Sequence, residues 1–222
     1  MWLFSWDTLP TFAVRAVLEV LQAHMTVVAI SKADRSTFGL IRIGTIPLLL
    51  TIDIILGYAF TTQQLLGTGL IVCSLVFLLM RRSMRTDGIG YVLVATVNAV
   101  ATLSLFKYDL VHGNSVVAEQ VPVLLLLVGY FLVMARVRAG ENVLQKMWRP
   151  ALLLQSLCVG IGTVTISYGY VLLPASLATT VVRSGGLLWS ILSGNFLFKE
   201  RSFGMKAFGA ALCVAGLILL AR

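Results

Sequence analysis

Charge is what this chain has least of: 12% of its 222 residues are Asp, Glu, Lys or Arg, against 59% hydrophobic. A soluble domain of this length must cover its surface with polar side chains. Few segments here offer an outward polar face, so most of the chain must meet lipid, as the mean hydropathy of +0.95 also implies. Acidic residues are scarcer still, nine against 17 Lys and Arg, which leaves a formal charge of +8. The cations sit in short gaps between apolar runs rather than along one stripe, which argues against a nucleic-acid partner and makes the charge a matter of topology. The three cysteines, Cys73, Cys158 and Cys213, lie inside apolar runs with no CxxC pair and no His cluster at ligand spacing, so packing rather than metal binding is expected of them.

Other absences narrow the function. There is no Walker A loop or nucleotide fingerprint, which excludes an ATP-driven pump, and no HExxH or comparable cluster for a membrane enzyme acting on lipid. No cofactor and no metal are expected. The opening MWLFSWDTLP lacks a basic region, so no cleavable signal peptide is expected. Nothing resembles a flexible linker or an appended soluble domain.

What the chain has is long apolar runs. A bilayer core about 30 Å thick takes about 20 helical residues to cross. Eight runs approach that length: 12–31, 36–59, 64–80, 89–106, 116–135, 150–170, 174–198 and 204–221. Backbone groups in hydrocarbon must bond within their own segment, so an all-α, polytopic helical bundle of about eight spans is predicted. The gaps after spans one, three, five and seven hold nearly all the Lys and Arg, among them Arg81, Arg82, Arg136 and Arg149, while the opposite side holds little more than Lys107 and Arg222. By the positive-inside rule this puts both termini outside.

The sequence also matches itself. A shift of 142 residues lays TTQQLLGTGLIVCSLVFLL on FGMKAFGAALCVAGLILLA, with Gly67 on Gly209 and Leu70, Val72, Leu75 and Leu78 on identical residues. The same shift lays span one on span six and span two on span seven. Five spans separate each pair, so equivalent helices run in opposite directions, an inverted repeat. Residues 1–80 then form a partial first unit of three helices and 89–222 a second unit of five. The first unit looks N-terminally shortened by two helices.

The tail GNFLFKERSFGMKAFGAALCVAGLILL resembles the end of an EamA repeat of the drug/metabolite transporter superfamily. Glu200, Gly209 and Gly216 match that pattern in the second unit and Gly57 and Gly67 in the first, where Tyr58 stands in place of Glu. A Pro common in the penultimate helix is present as Pro47 and replaced by Trp189. The resemblance implies two inverted five-helix units and transport of small metabolites. It also implies cytoplasmic termini, the opposite of what the loop charges indicate.

Polar residues at membrane depth are the site candidates, because a charge there costs about 2.5–3.5 kcal/mol on insertion scales. Arg42 and Asp53 are eleven residues apart, within about 20° of one helix face. Pro47 between them should bend that helix. At the repeat offset Asp53 falls on Asn195, and Arg42 falls beside Arg183, the best candidate for an anionic substrate group. Arg15 and Glu19 have the i,i+4 spacing of an ion pair. Glu19, Asp53 and His24 are the groups whose protonation could couple to transport.

The expectation is therefore an integral multi-pass protein of a bacterial cytoplasmic membrane, not an enzyme, exporting a small metabolite by alternating access, with Asp53, Arg183, Asn195, Glu19, Arg42 and Arg15 lining the route. Its partners would be the bilayer, the substrate and a coupling proton. The alternative is a truncated or subunit-like family member that works only as a homo-oligomer, or not at all.

Overall fold

A computed structural model describes residues 3–32, 38, 41–80, 88–140, 148–198 and 203–220, and every regular element among them is helical. The α-helices are α1 (Leu9–Lys32), α2 (Thr45–Ile55), α3 (Thr62–Met80), α4 (Ile89–Val111), α5 (Val116–Met134), α6 (Pro150–Leu172), α7 (Ala175–Phe198) and α8 (Phe203–Leu220). Four stretches, Trp6–Lys32, Ile89–Val111, Val116–Arg138 and Pro150–Leu172, are long and apolar enough to cross a membrane. The most apolar window of the last is only 6% buried, so its side chains turn outward, where water would penalise so continuous an apolar surface.

The second apolar run is not one helix. It breaks at Gly44, and α2 is 11 residues long, about 16 Å at about 1.5 Å per residue. The cause is local. Pro47 has no N–H to give, and it sits in the first turn of α2, where no donor is required. The Gly44 amide bonds back to the Ile41 carbonyl at 3.0 Å, and the Thr45 hydroxyl caps the Arg42 carbonyl at 2.7 Å. The predicted bend midway between Arg42 and Asp53 is thus a break three residues before the proline.

At its other end α2 stops in a six-residue turn. Tyr58 N–H donates to the Asp53 carbonyl and Gly57 N–H to the Ile54 carbonyl, both at 3.0 Å, with Gly57 at φ +87°. This is a Schellman cap, which needs a left-handed residue. Gly57→Ala is expected to cost about 1–2 kcal/mol and to speed amide exchange at Tyr58, readable by hydrogen–deuterium exchange. Unchanged exchange there would contradict this cap.

α4 continues five residues beyond its predicted end because Lys107 is not a loop charge. Its side chain is buried, and Nζ donates to the carbonyls of Tyr170 (2.7 Å), Val171 (3.4 Å) and Leu173 (3.0 Å). An ammonium there meets the unpaired carbonyls and negative dipole end of α6.

The chain forms two compact units, residues 1–24 with 101–173, and 25–100 with 174–222. In the second, α2 packs on α7 and α3 on α8, around a core of Ile43, Ile46, Ile71, Leu177 and Cys213. Ser74 Oγ donates to the Gly209 carbonyl at 2.7 Å. A Cβ on Gly216 would lie 2.9 Å from the Gly67 carbonyl oxygen and 2.6 Å from Ile71 Cγ1. Advancing seven residues on α3, from Gly67 to Ser74, moves the contact back seven on α8, so the two helices are antiparallel. Small residues at two-turn spacing let their backbones touch.

Cys213 packs as expected, whereas Cys73 and Cys158 are exposed free thiols. The helical glycines differ in how closely another helix approaches them. No described atom lies within 4 Å of a Cβ built on Gly160, Gly162, Gly185 or Gly186, so among these only Gly216 marks a close approach.

Candidate functional site

In the first unit the face of α1 that carries Thr11 and Arg15 meets α4 and α5. Arg15 is 1% exposed and Glu119 is 0%, and they form a buried ion pair through Nη1 and Oε2. Glu119 sits in the first turn of α5, which Ser115 caps by accepting the Ala118 amide. The Arg15 guanidinium also lies over the Phe106 ring, 4.3 Å from its centroid. The predicted partner, Glu19, is 3.9 Å away and partly exposed, so Arg15 and Glu19 do meet, but the close contact is to Glu119.

Around this pair runs a hydrogen-bonded network whose directions can be read from its donors. Ser5 N–H donates to Asn114 Oδ1 at 2.6 Å, which fixes the amide orientation. The Asn114 amide then spends its two protons on Thr8 Oγ1 (2.7 Å) and Glu119 Oε1 (2.6 Å). Thr8 in turn donates to the Ser5 carbonyl at 2.7 Å. Glu119 therefore accepts at both oxygens, as a carboxylate should. Thr11 Oγ1 approaches Asp109 Oδ1, and Asp109 Oδ2 is buried with no hydrogen-bond partner.

Asp109 occupies the same place on α4 that Asp53 occupies on α2. Asn114 N–H donates to the Asp109 carbonyl at 3.1 Å and Gly113 N–H to the Leu110 carbonyl at 3.5 Å, with Gly113 at φ +103°. Asp, three residues, Gly is thus the shared signature, present in the sequence at both Asp53–Gly57 and Asp109–Gly113. Glu119, Asp109 and Asn114 were nevertheless missed by reasoning from the sequence.

His24 Nδ1 is hydrogen-bonded to the Tyr130 hydroxyl at 2.7 Å, beside an apolar groove of about 400 Å³ between α1 and α5 lined by Val17, Leu21 and Leu126. A second groove of about 480 Å³ runs between α5 and α6, crossed by a Gln120-to-Ser167 hydrogen bond at 3.0 Å.

In the second unit Asp53 is 1% exposed, and its Oδ2 accepts the Ser176 amide at 2.7 Å. Its carboxylate thereby satisfies an orphan donor in the first turn of α7 and faces the positive end of that helix dipole. Asp53 is the only carboxylate among the described residues of this unit. Arg42 lies over the Phe38 ring at 5.2 Å and within range of the charge of Arg183. Arg42 Nε is buried without a hydrogen-bond partner. Asn195 lies on α7, but its side chain is outside the described residues, as is the whole of Glu200. Among the described residues no group of three His, Cys, Asp or Glu is placed to hold a metal.

Set beside known proteins, the chain matches no family model and no curated protein.

Proposed function

We propose that this chain is a multi-pass secondary transporter of the EamA type, with eight membrane-crossing segments in two inverted units, exporting a small metabolite across a bacterial cytoplasmic membrane. One observation carries the reading. A half-turn that exchanges each residue with its match 142 positions on turns the Ser74–Gly209 contact into Gly216–Gly67, and both contacts are present. Ile71 and Cys213 exchange with each other and sit together in the core. Reciprocal contacts of this kind are the mark of a two-fold axis, and across antiparallel helices that axis is perpendicular to them. Transport folds built from such repeats bind their substrates where the units meet.

The second unit supplies the chemistry this reading needs. Arg42 and Arg183 bring two positive charges within range of each other in the compact unit of residues 25–100 and 174–222. The pair suits a substrate bearing a carboxylate or phosphate, which guanidinium groups bind with parallel hydrogen bonds. Glu19, Arg15 and His24 belong to the compact unit of residues 1–24 and 101–173, where proton coupling is the role proposed for Glu19 and His24.

The test is export from inverted vesicles loaded with a panel of radiolabelled amino acids, organic acids and nucleotides. Arg183→Ala should reduce flux of the transported anion at least tenfold with protein levels unchanged. Asp53→Asn keeps an acceptor oxygen for Ser176 and should reduce flux less. Equal flux in wild type and Arg183→Ala would remove the site, and no flux of any compound would favour the subunit-like alternative.

A further inference from the structure

We propose that Asp109 is a proton-binding site: its carboxyl carries a proton inside the first unit, where it is held by Thr11, and can exchange it. The argument is a count of protons. Thr11 Oγ1 lies 2.8 Å from the Thr8 carbonyl and also against Asp109 Oδ1. Both neighbours are acceptors if Asp109 is ionised, and one hydroxyl has one proton to give. With the carboxyl protonated, Asp109 donates to Thr11 and Thr11 donates to Thr8, and every contact is satisfied.

The charges agree with the count. Arg15 and Glu119 already neutralise each other, and the Asn114 amide has spent both protons. Asp109 is 0% exposed, and its Oδ2 has no hydrogen-bond partner; an ionised carboxylate would leave a full charge there uncompensated. At this end of the packed elements the titratable or charged groups are Asp7, Arg15 and Glu19 on the α1 side, Lys107, Tyr108 and His112 on α4, and Glu119 on α5, while His24, Lys32, Tyr91 and Tyr130 lie further along the same helices. Lys107 is directed at the carbonyls ending α6. His112, exposed one turn beyond, bonds the Tyr108 carbonyl through Nδ1 and stacks on the Tyr108 ring, which leaves its second nitrogen towards solvent.

On release the carboxyl O–H bond breaks and the proton passes to water. Thr11 then turns its own proton from Thr8 to Asp109, and the Thr8 carbonyl loses that bond. Only the use of this proton to drive transport rests on the function proposed above. Its presence does not, so the measurement addresses the carboxyl directly.

The experiment is infrared spectroscopy of the full chain, purified in detergent at neutral pH, with the side-chain carbons of aspartate isotopically labelled. A label-sensitive band of a protonated carboxyl is expected in the wild type and in Glu119→Gln, and its loss in Asp109→Asn, which keeps a donor for Thr11. Thr11→Val should shift the band to higher frequency by removing the partner, and this shift decides the matter if Asp109→Asn fails to fold. No labelled band in the wild type, or a band that survives in Asp109→Asn, overturns the proposal.

Discussion

Arg15→Met is expected to destabilise the protein by about 3–5 kcal/mol, the cost of leaving Glu119 charged and buried without its cation. The methionine fills much of the space beside Phe106, so little of the loss comes from packing. Replacing both partners, Arg15→Met with Glu119→Gln, should recover most of it. The Gln side-chain oxygen can still accept from Asn114, and no net charge remains buried. Thermal denaturation of the three detergent-solubilised variants reads the difference. A single substitution that costs under about 1 kcal/mol, as for an exposed pair, would show that the ion pair is solvated and that the network does not close α1 onto α5.

The second large effect is expected at Gly216. An alanine there puts a methyl group 2.6 Å from Ile71 Cγ1 and 2.9 Å from the Gly67 carbonyl oxygen. Ile71 is fully buried and the carbonyl belongs to a helix backbone, so neither can yield without moving α3. The cost should be about 1–3 kcal/mol, typical of overpacking. Gly160→Ala is the control. Its added methyl meets no described atom, and alanine is the better helix former by about 1 kcal/mol, so this variant should hold or gain stability. Equal losses at both positions would mean that α3 and α8 are not in backbone contact.

The helices were legible where apolar runs end at ordinary stop signals. The runs 64–80, 116–135, 150–170, 174–198 and 204–221 each end within about two residues of α3, α5, α6, α7 and α8. Two boundaries failed for opposite reasons. Run 36–59 was read through Gly44 because hydropathy is blind to a break made by backbone geometry. Run 89–106 was stopped at Lys107 because a charge reads as an interface, whereas this ammonium is satisfied by carbonyls 63 to 66 residues away.

The site was half legible for a related reason. Arg15, Asp53 and Arg183 stand out as charges inside apolar runs, and the offset of 142 residues linked Arg42 to the neighbourhood of Arg183. Glu119 was not singled out, and an acid in a first turn is favoured by the helix dipole whatever else it touches. Its partner lies 104 residues away on another helix, and no periodicity joins the two. Asp109 fell in what was taken for a loop, so its burial could not be suspected.

The seven-residue step between Gly67 and Ser74 limits how α3 and α8 can move. Sliding one past the other by a turn, about 5.4 Å, would lay Leu212 over Gly67 in one direction, where even a single methyl is too large. Pivoting keeps Ile71 against Cys213 and needs no such intrusion. A rearrangement of the second unit that keeps this contact is therefore restricted to rocking about a fixed axle, with α2 and α7, which pack on each other, carried around it.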